Sequence, residues 1–240
     1  MPIFHGRHLR GTIRRHKSAA LIIAGAVLAA GALTGGGILV KKQLDNDKGC
    51  ESVTNWVESR GDFVKIGTGA EKVAILGDSY AAGDLLTDRT KGWVYDLAQA
   101  KGWSEYVDGV GYTGYTNGGF CGDQQYGTRI ANIRQLAPDT LIIEGGLNDA
   151  GKSREEVQSA ADGLLRKFSA VKNVIVLGPV NAPARSGLTD IDAALSAAAA
   201  TNNRQYISAL SWSFDYLPDR LHLTEASHAK FADLVAAQIR

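Results

Sequence analysis

A chain of 240 residues leaves room for one α/β domain of ordinary size and a further segment at one end. A formal charge of +1 and 21% charged residues give it neither acidic nor basic bulk character, which argues against nucleic acid as a partner. The charge is nevertheless unevenly placed, and the chain begins with its most polarised part.

Before residue 18 stand Arg7, Arg10, Arg14, Arg15 and Lys17, with no Asp or Glu. The run Ser18 to Val40, "SAALIIAGAVLAAGALTGGGILV", then carries no charge. As a helix it would extend about 34 Å, enough to cross a hydrocarbon core of about 30 Å. The basic flank ahead of it outweighs Lys41 and Lys42 behind it, which predicts a cytoplasmic N-terminus and a remainder outside the membrane. A cleaved signal peptide is the competing reading, because the run contains small-residue triplets such as Ala30-Gly31-Ala32. Both readings export the chain. The expected organisation is a basic tail over 1–17, a transmembrane helix or signal anchor over 18–40, a linker and lead-in over 41–70, and a globular domain over 71–240.

Export gives the two cysteines meaning, since Cys50 and Cys121 can pair in an oxidising compartment. Residues 41 to about 70 read as a polar tether with a short helix around Ser52 to Ser59. From Glu71 the pattern changes. "KVAILG", "EYVDGV", "TLIIEGG", "NVIVLGPV" and "YISAL" read as strands, with helices at Gly92 to Lys101, Thr128 to Leu136, Arg154 to Val171, Leu188 to Asn203 and Thr224 to Ile239. Strands apolar on both faces and separated by helices predict a doubly wound parallel sheet in a three-layer α/β/α sandwich. In such sheets the chemistry lies outside the carboxyl ends of the strands.

Polar groups gather at those ends. The first strand runs into Gly77-Asp78-Ser79, and the third into Gly145-Gly146-Leu147-Asn148-Asp149. A serine between a strand and a helix lies near backbone N–H groups that can stabilise an oxyanion. It needs a base to become a nucleophile. His5, His8 and His16 precede the apolar run, leaving His222 and His228. His222 follows Asp219 by three residues in "PDRLH", a spacing that lets the carboxylate bond one ring nitrogen while the other faces the serine. His228 falls inside the last helix, where a partly exposed surface histidine is the ordinary expectation. The histidines and cysteines lack zinc-ligand spacing, and neither metal nor cofactor is expected.

Three blocks in this order, "GDS", "GLND" and "DRLH", resemble the SGNH (GDSL-type) hydrolase family over about residues 70 to 240. The resemblance implies a flavodoxin-like sandwich in which Ser79 is the nucleophile and Asp219 and His222 complete a Ser-His-Asp triad. It also implies an oxyanion hole of Ser79 N–H, a glycine N–H and the Asn148 side chain. The glycine belongs to "DGVGYTGYTNGG", where Gly111 and Gly114 both qualify and "TGYT" favours Gly114. Asp78 and Asp149 are expected to be structural, the latter fixing the loop that presents Asn148. Ser227-His228 stands where the family often has a glycine.

The implied activity is a serine esterase working outside the membrane on an ester substrate, such as O-acyl groups of cell-envelope glycan or lipid. An O-acyltransferase of the same fold and a non-catalytic, membrane-anchored glycan-binding protein are the alternatives. Tyr80, Tyr112, Tyr115, Asn117 and Phe120 cluster near the site in sequence. Such groups line clefts for sugars or acyl chains, and equally turns and cores. A Cys50–Cys121 bridge would brace the glycine loop.

Overall fold

A computed structural model describes residues 41–239. The basic tail and the apolar run fall outside the described residues, and among those described no helix is long and apolar enough to cross a membrane. A compact unit takes in Lys48–Arg240.

Its centre is a six-stranded sheet of β1 (Val64–Ile66), β2 (Lys72–Gly77), β3 (Ser104–Gly109), β4 (Thr140–Glu144), β5 (Asn173–Leu177) and β6 (Gln205–Ile207). The spatial order is β1-β3-β2-β4-β5-β6. Five strands run parallel, joined by helical crossovers as parallel neighbours require. The expected all-parallel sheet is corrected at one edge, where β1 pairs antiparallel with β3 through Val64↔Val107 and Ile66↔Glu105. The link over 67–71 is too short for a crossover, so the chain reverses direction between β1 and β2. Three residues with an outward-facing lysine, "VKI", are too little pattern to announce that strand.

Alternation along the strands builds a core on each face. On one side Val73, Ile75, Val107, Ile142 and Ile175 pack beneath Trp93, Leu97, Phe231 and Val235, which belong to α3 (Trp93–Lys101) and α7 (Glu225–Gln238). On the other, Ala74, Leu76, Leu141, Ile143 and Val176 meet Val157, Leu164, Ile191 and Leu195 of α5 (Arg154–Arg166) and α6 (Leu188–Thr201). Local chemistry fixes the starts of two of these helices. Ser153 and Glu156 form a capping box at α5, and Thr224 accepts from Ser227 N–H at α7. A shorter helix, α4 (Ala131–Leu136), follows the loop after β3.

Two other expectations are corrected. Residues 41–60 are helical throughout (α1), not a tether with a two-turn insert. Within the compact unit this helix is tied down at three points: Cys50 is bonded to Cys121, Trp56 Nε1 donates to Gly109 O at 3.4 Å, and Arg60 pairs with Asp108 at 2.5 Å. His228 is buried on α7, not at the surface, with Nδ1 accepting from Trp93 N–H at 3.4 Å. Burial, with the neighbouring His222 adding to it, pushes its pKa down to about 4.

Candidate active site

The end of β2 sets the site. Gly77 closes the strand, Asp78 caps a single turn α2 (Ser79–Ala82), and Ser79 is its first residue. Asp78 Oδ1 accepts from Tyr80 N–H at 2.9 Å, which holds the turn tight. Arg129 reinforces it, donating to Gly77 O at 2.9 Å and pairing with Asp108 at 3.0 Å. Burial raises the Asp78 pKa to about 7. Beneath the turn, burial likewise pushes the Glu144 carboxyl well up, although the N–H groups of Asp78 and Ala81 work the other way.

The second contribution comes from the loop before α7. Asp219 Oδ2 lies 2.5 Å from His222 Nδ1, while Oδ1 accepts from the N–H groups of Leu221 and His222 at 3.0 Å each. Partial burial opposes ionisation of Asp219, but these hydrogen bonds outweigh it and hold the carboxyl below its ordinary range. The pairing fixes Nδ1 toward the carboxylate and leaves Nε2 as the ring's free nitrogen. Tyr80, the residue after Ser79, donates its hydroxyl to Leu221 O at 2.6 Å. One buried side chain thus ties the serine turn to the histidine loop.

The third contribution follows β4, where a 3₁₀ turn Leu147–Asp149 presents Asn148. Asn148 Nδ2 donates to Thr113 O at 3.0 Å and, more weakly, to Asp78 Oδ2 at 3.3 Å. Asp149 is buried and accepts from Tyr115 N–H, Thr116 N–H, Thr116 Oγ1 and Asn117 N–H at 3.0, 2.7, 2.6 and 3.3 Å. It therefore shapes the loop after β3, and that loop's Thr113 carbonyl in turn holds Asn148.

A cavity of about 400 Å³ opens over these groups, lined by Ser79, Asn148, Leu221 and His222 together with Gly111, Tyr112 and Phe120. Ser79 Oγ has no hydrogen-bond partner among the described residues, so the serine and His222 share the cavity without a closed bond. Unliganded sites are often looser than reacting ones. Of the two glycine candidates, Gly111 lines the cavity and its N–H is unclaimed among the described residues. Gly114 does not line it: its N–H donates to Asn117 O at 2.9 Å, and its Cα lies so near the Asp149 carboxylate that a Cβ would collide there. Serine, histidine and asparagine over one cavity, with a carboxylate behind the histidine, can support acyl transfer.

The model of the GDSL-like Lipase/Acylhydrolase family matches residues 75–230, well over half of the chain. The chain belongs to this family. No curated protein matches the sequence. Solved structures similar to it include a protein of the G-D-S-L family from Desulfitobacterium hafniense, described as lipolytic, at TM-score 0.57 and 16% identity over 70% of this chain and 99% of that one. A catalytic mutant of an acetylxylan esterase from Geobacillus stearothermophilus matches at 0.56 and 17%, over 73% and 96%. A family two carbohydrate esterase from Clostridium thermocellum, in complex with cellohexaose, matches at 0.58 and 16%, over 71% and 63%. At these identities the likeness is one of fold.

For a GDSL-family chain, much of the cavity wall comes from residues outside the family's motif blocks. Gly49, Ser52, Val53 and Trp56 of α1 form one side, and Leu85 and Arg89 another. None stood out in the sequence, because single residues of an amphipathic helix and a loop carry no chemical signature. The disulfide Cys50–Cys121, with Cα atoms 4.7 Å apart, fastens that side of α1 beside Phe120. Of the aromatic cluster, Tyr112 and Phe120 reach the cavity and stack at 4.8 Å, whereas Tyr80 and Tyr115 are buried in the two cores. Asn117 shapes its own loop by accepting from Gly119 N–H at 2.9 Å and ties it to the next by donating to Asn148 O at 2.9 Å. A second cavity of about 390 Å³, at the opposite ends of the strands, is lined by Glu71, Lys101, Thr140 and Lys172 and holds no serine or histidine.

Proposed function

We propose that this chain is a serine esterase, acting outside the cytoplasmic membrane on short O-acyl groups of cell-envelope glycan. The observation that carries the reading is the 2.5 Å contact of Asp219 with His222 Nδ1, on the cavity that Ser79 enters from the first turn of α2. His222 Nε2 takes the proton of Ser79 Oγ as the oxygen attacks the ester carbonyl, and Asp219 stabilises the imidazolium that forms. The tetrahedral oxyanion receives N–H bonds from Ser79 and Gly111 and one from Asn148 Nδ2, which exchanges its long bond to Asp78 for the new one. Each such donor contributes about 3 kcal/mol to the transition state. The alcohol leaves with the proton from His222; water, deprotonated by the same ring, then releases the acyl group.

The glycan half of the reading is supported by the size of the cavity and by the company of carbohydrate esterases of the same fold. The extracytoplasmic half rests on the basic tail and apolar run of the N-terminus and agrees with the disulfide. Turnover of p-nitrophenyl acetate by the full chain, set beside Ser79→Ala, tests the chemistry. Loss of turnover in the variant, with loss of labelling by a fluorophosphonate, is the expected result. A wild-type protein that neither turns over acyl esters nor takes the label would overturn the reading.

A further inference from the structure

Asp84 is a carboxylate in the cavity that the proposed reaction does not use. Its backbone N–H donates to Ser79 O at 2.9 Å, so its position is tied to that of the nucleophile. Oδ1 receives Arg89 Nη1 at 2.6 Å, and the Arg89 guanidinium in turn donates to Ala82 O at 2.6 Å and stacks on the Trp56 ring, 4.2 Å from its centre. Oδ2 has no hydrogen-bond partner among the described residues. It lies against Gly111: a Cβ there would collide with Oδ2 and sit 4.0 Å from Ser79 Cβ.

A fixed, half-buried acceptor therefore stands beside the nucleophile, on the side of the glycine whose N–H is available to the oxyanion. The charge balance says which donor suits it. Arg89 already supplies a whole positive charge to Oδ1, so a second cation would face a neutralised pair and the guanidinium behind it. An anion would be repelled by Oδ2. A neutral O–H donor meets neither difficulty and forms a charge-assisted bond with the carboxylate. We infer that Asp84 Oδ2 accepts a hydrogen bond from a hydroxyl on the alcohol side of the scissile ester, making the site selective for esters of polyhydroxylated alcohols. The inference rests on the esterase reading and names the residue that recognises the sugar.

The test compares two acetates of a CH2–OH group on a six-membered ring, methyl 6-O-acetyl-glucoside and cyclohexylmethyl acetate, whose carbocycle lacks the hydroxyls. The full chain, Asp84→Ala and Asp84→Asn are each assayed for kcat and KM on both. In Asp84→Ala the ratio of kcat/KM for the glucoside over the carbocycle falls by about 10- to 100-fold, the worth of a hydrogen bond to a charged group. Asp84→Asn, which keeps an acceptor oxygen, recovers part of that ratio. A role confined to positioning Ser79 would lower both esters together and leave the ratio unchanged, and that result overturns the inference. Wild-type protein inert towards both acetates and towards the fluorophosphonate is a different outcome, and it overturns the esterase reading beneath it.

Discussion

Glu105 offers the sharpest test of the energetics. It lies on β3 opposite Ile66 and Val73, has no exposed surface, and neither carboxyl oxygen has a partner among the described residues. Burial raises its pKa from 4.5 to about 9. The folded protein thus holds a proton that the unfolded chain releases above 4.5, so its contribution to stability is full below that value and is lost as pH rises toward 9. Within the window the slope is about 1.4 kcal/mol per pH unit, or about 3 kcal/mol between pH 5.5 and 8.0. Glu105→Gln removes the titration and nearly keeps the shape; whatever its amide costs in the core is the same at both pH values. Urea unfolding of wild type and variant at each pH should show the variant gaining about 3 kcal/mol on the wild type from the lower pH to the higher. A stability difference that does not move with pH would refute the buried, unpaired carboxyl.

Asp219→Asn leaves the loop geometry intact but presents the wrong partner to His222 Nδ1, and should lower kcat for p-nitrophenyl acetate by about 10³- to 10⁴-fold. A loss below tenfold would separate Asp219 from the chemistry. Asp149→Ala strips an acceptor from three backbone N–H groups and one hydroxyl. It should cost about 3 to 5 kcal/mol in urea unfolding and reduce kcat as well, since the loop it shapes carries the carbonyl that seats Asn148. Replacing Cys50 and Cys121 by serine opens a loop of sequence separation 71, worth about 4 kcal/mol of unfolded-state entropy. The same pair should raise KM, because α1 then loses its fastening beside Phe120; unchanged stability and KM would count against both roles.

What the sequence announced, and what it hid, divides along the range of the interactions. Strands β2, β4 and β5 were legible because each is a nearly continuous apolar run doubly covered by helices, and five of the helices followed from the stretches between apolar runs. Ser79, Asn148, Asp219 and His222 were legible because each follows or precedes a regular element within a short, chemically meaningful string. Strand β1 was not, since its reason to exist is an edge of β3 more than 30 residues away. Helix α1 read as a tether because its anchors, Asp108, Gly109 and Cys121, lie far along the chain. His228 misled for the same reason: a single helical histidine says nothing of the Trp93 backbone and Tyr80 ring that bury it. The sequence left both Gly111 and Gly114 open, with "TGYT" favouring the latter, because it does not show that the Gly114 N–H is already given to Asn117 O, the bond on which the proposal of Gly111 rests.

The cavity is built from both sides of the matched family segment's first residue. The groups proposed to make and break the ester bond all fall between Ser79 and His222, inside the matched family segment 75–230. The wall facing them includes Gly49, Ser52, Val53 and Trp56, which lie before it. Trp56 does more than close the cavity: through Arg89 it orients Asp84, and so reaches the space beside Ser79 without touching it. On the proposed esterase reading, a substitution on that face of α1 therefore changes which alcohol is accepted while the serine, histidine and asparagine stay where they are. The disulfide has a matching consequence. It joins the α1 wall, at Cys50, to Cys121 on the loop after β3 that also supplies Gly111, so a shift of the helix is transmitted to the glycine beside Asp84. On the proposed reading, selectivity depends on how α1 holds Arg89 and Asp84 as well as on the residues of the motif blocks.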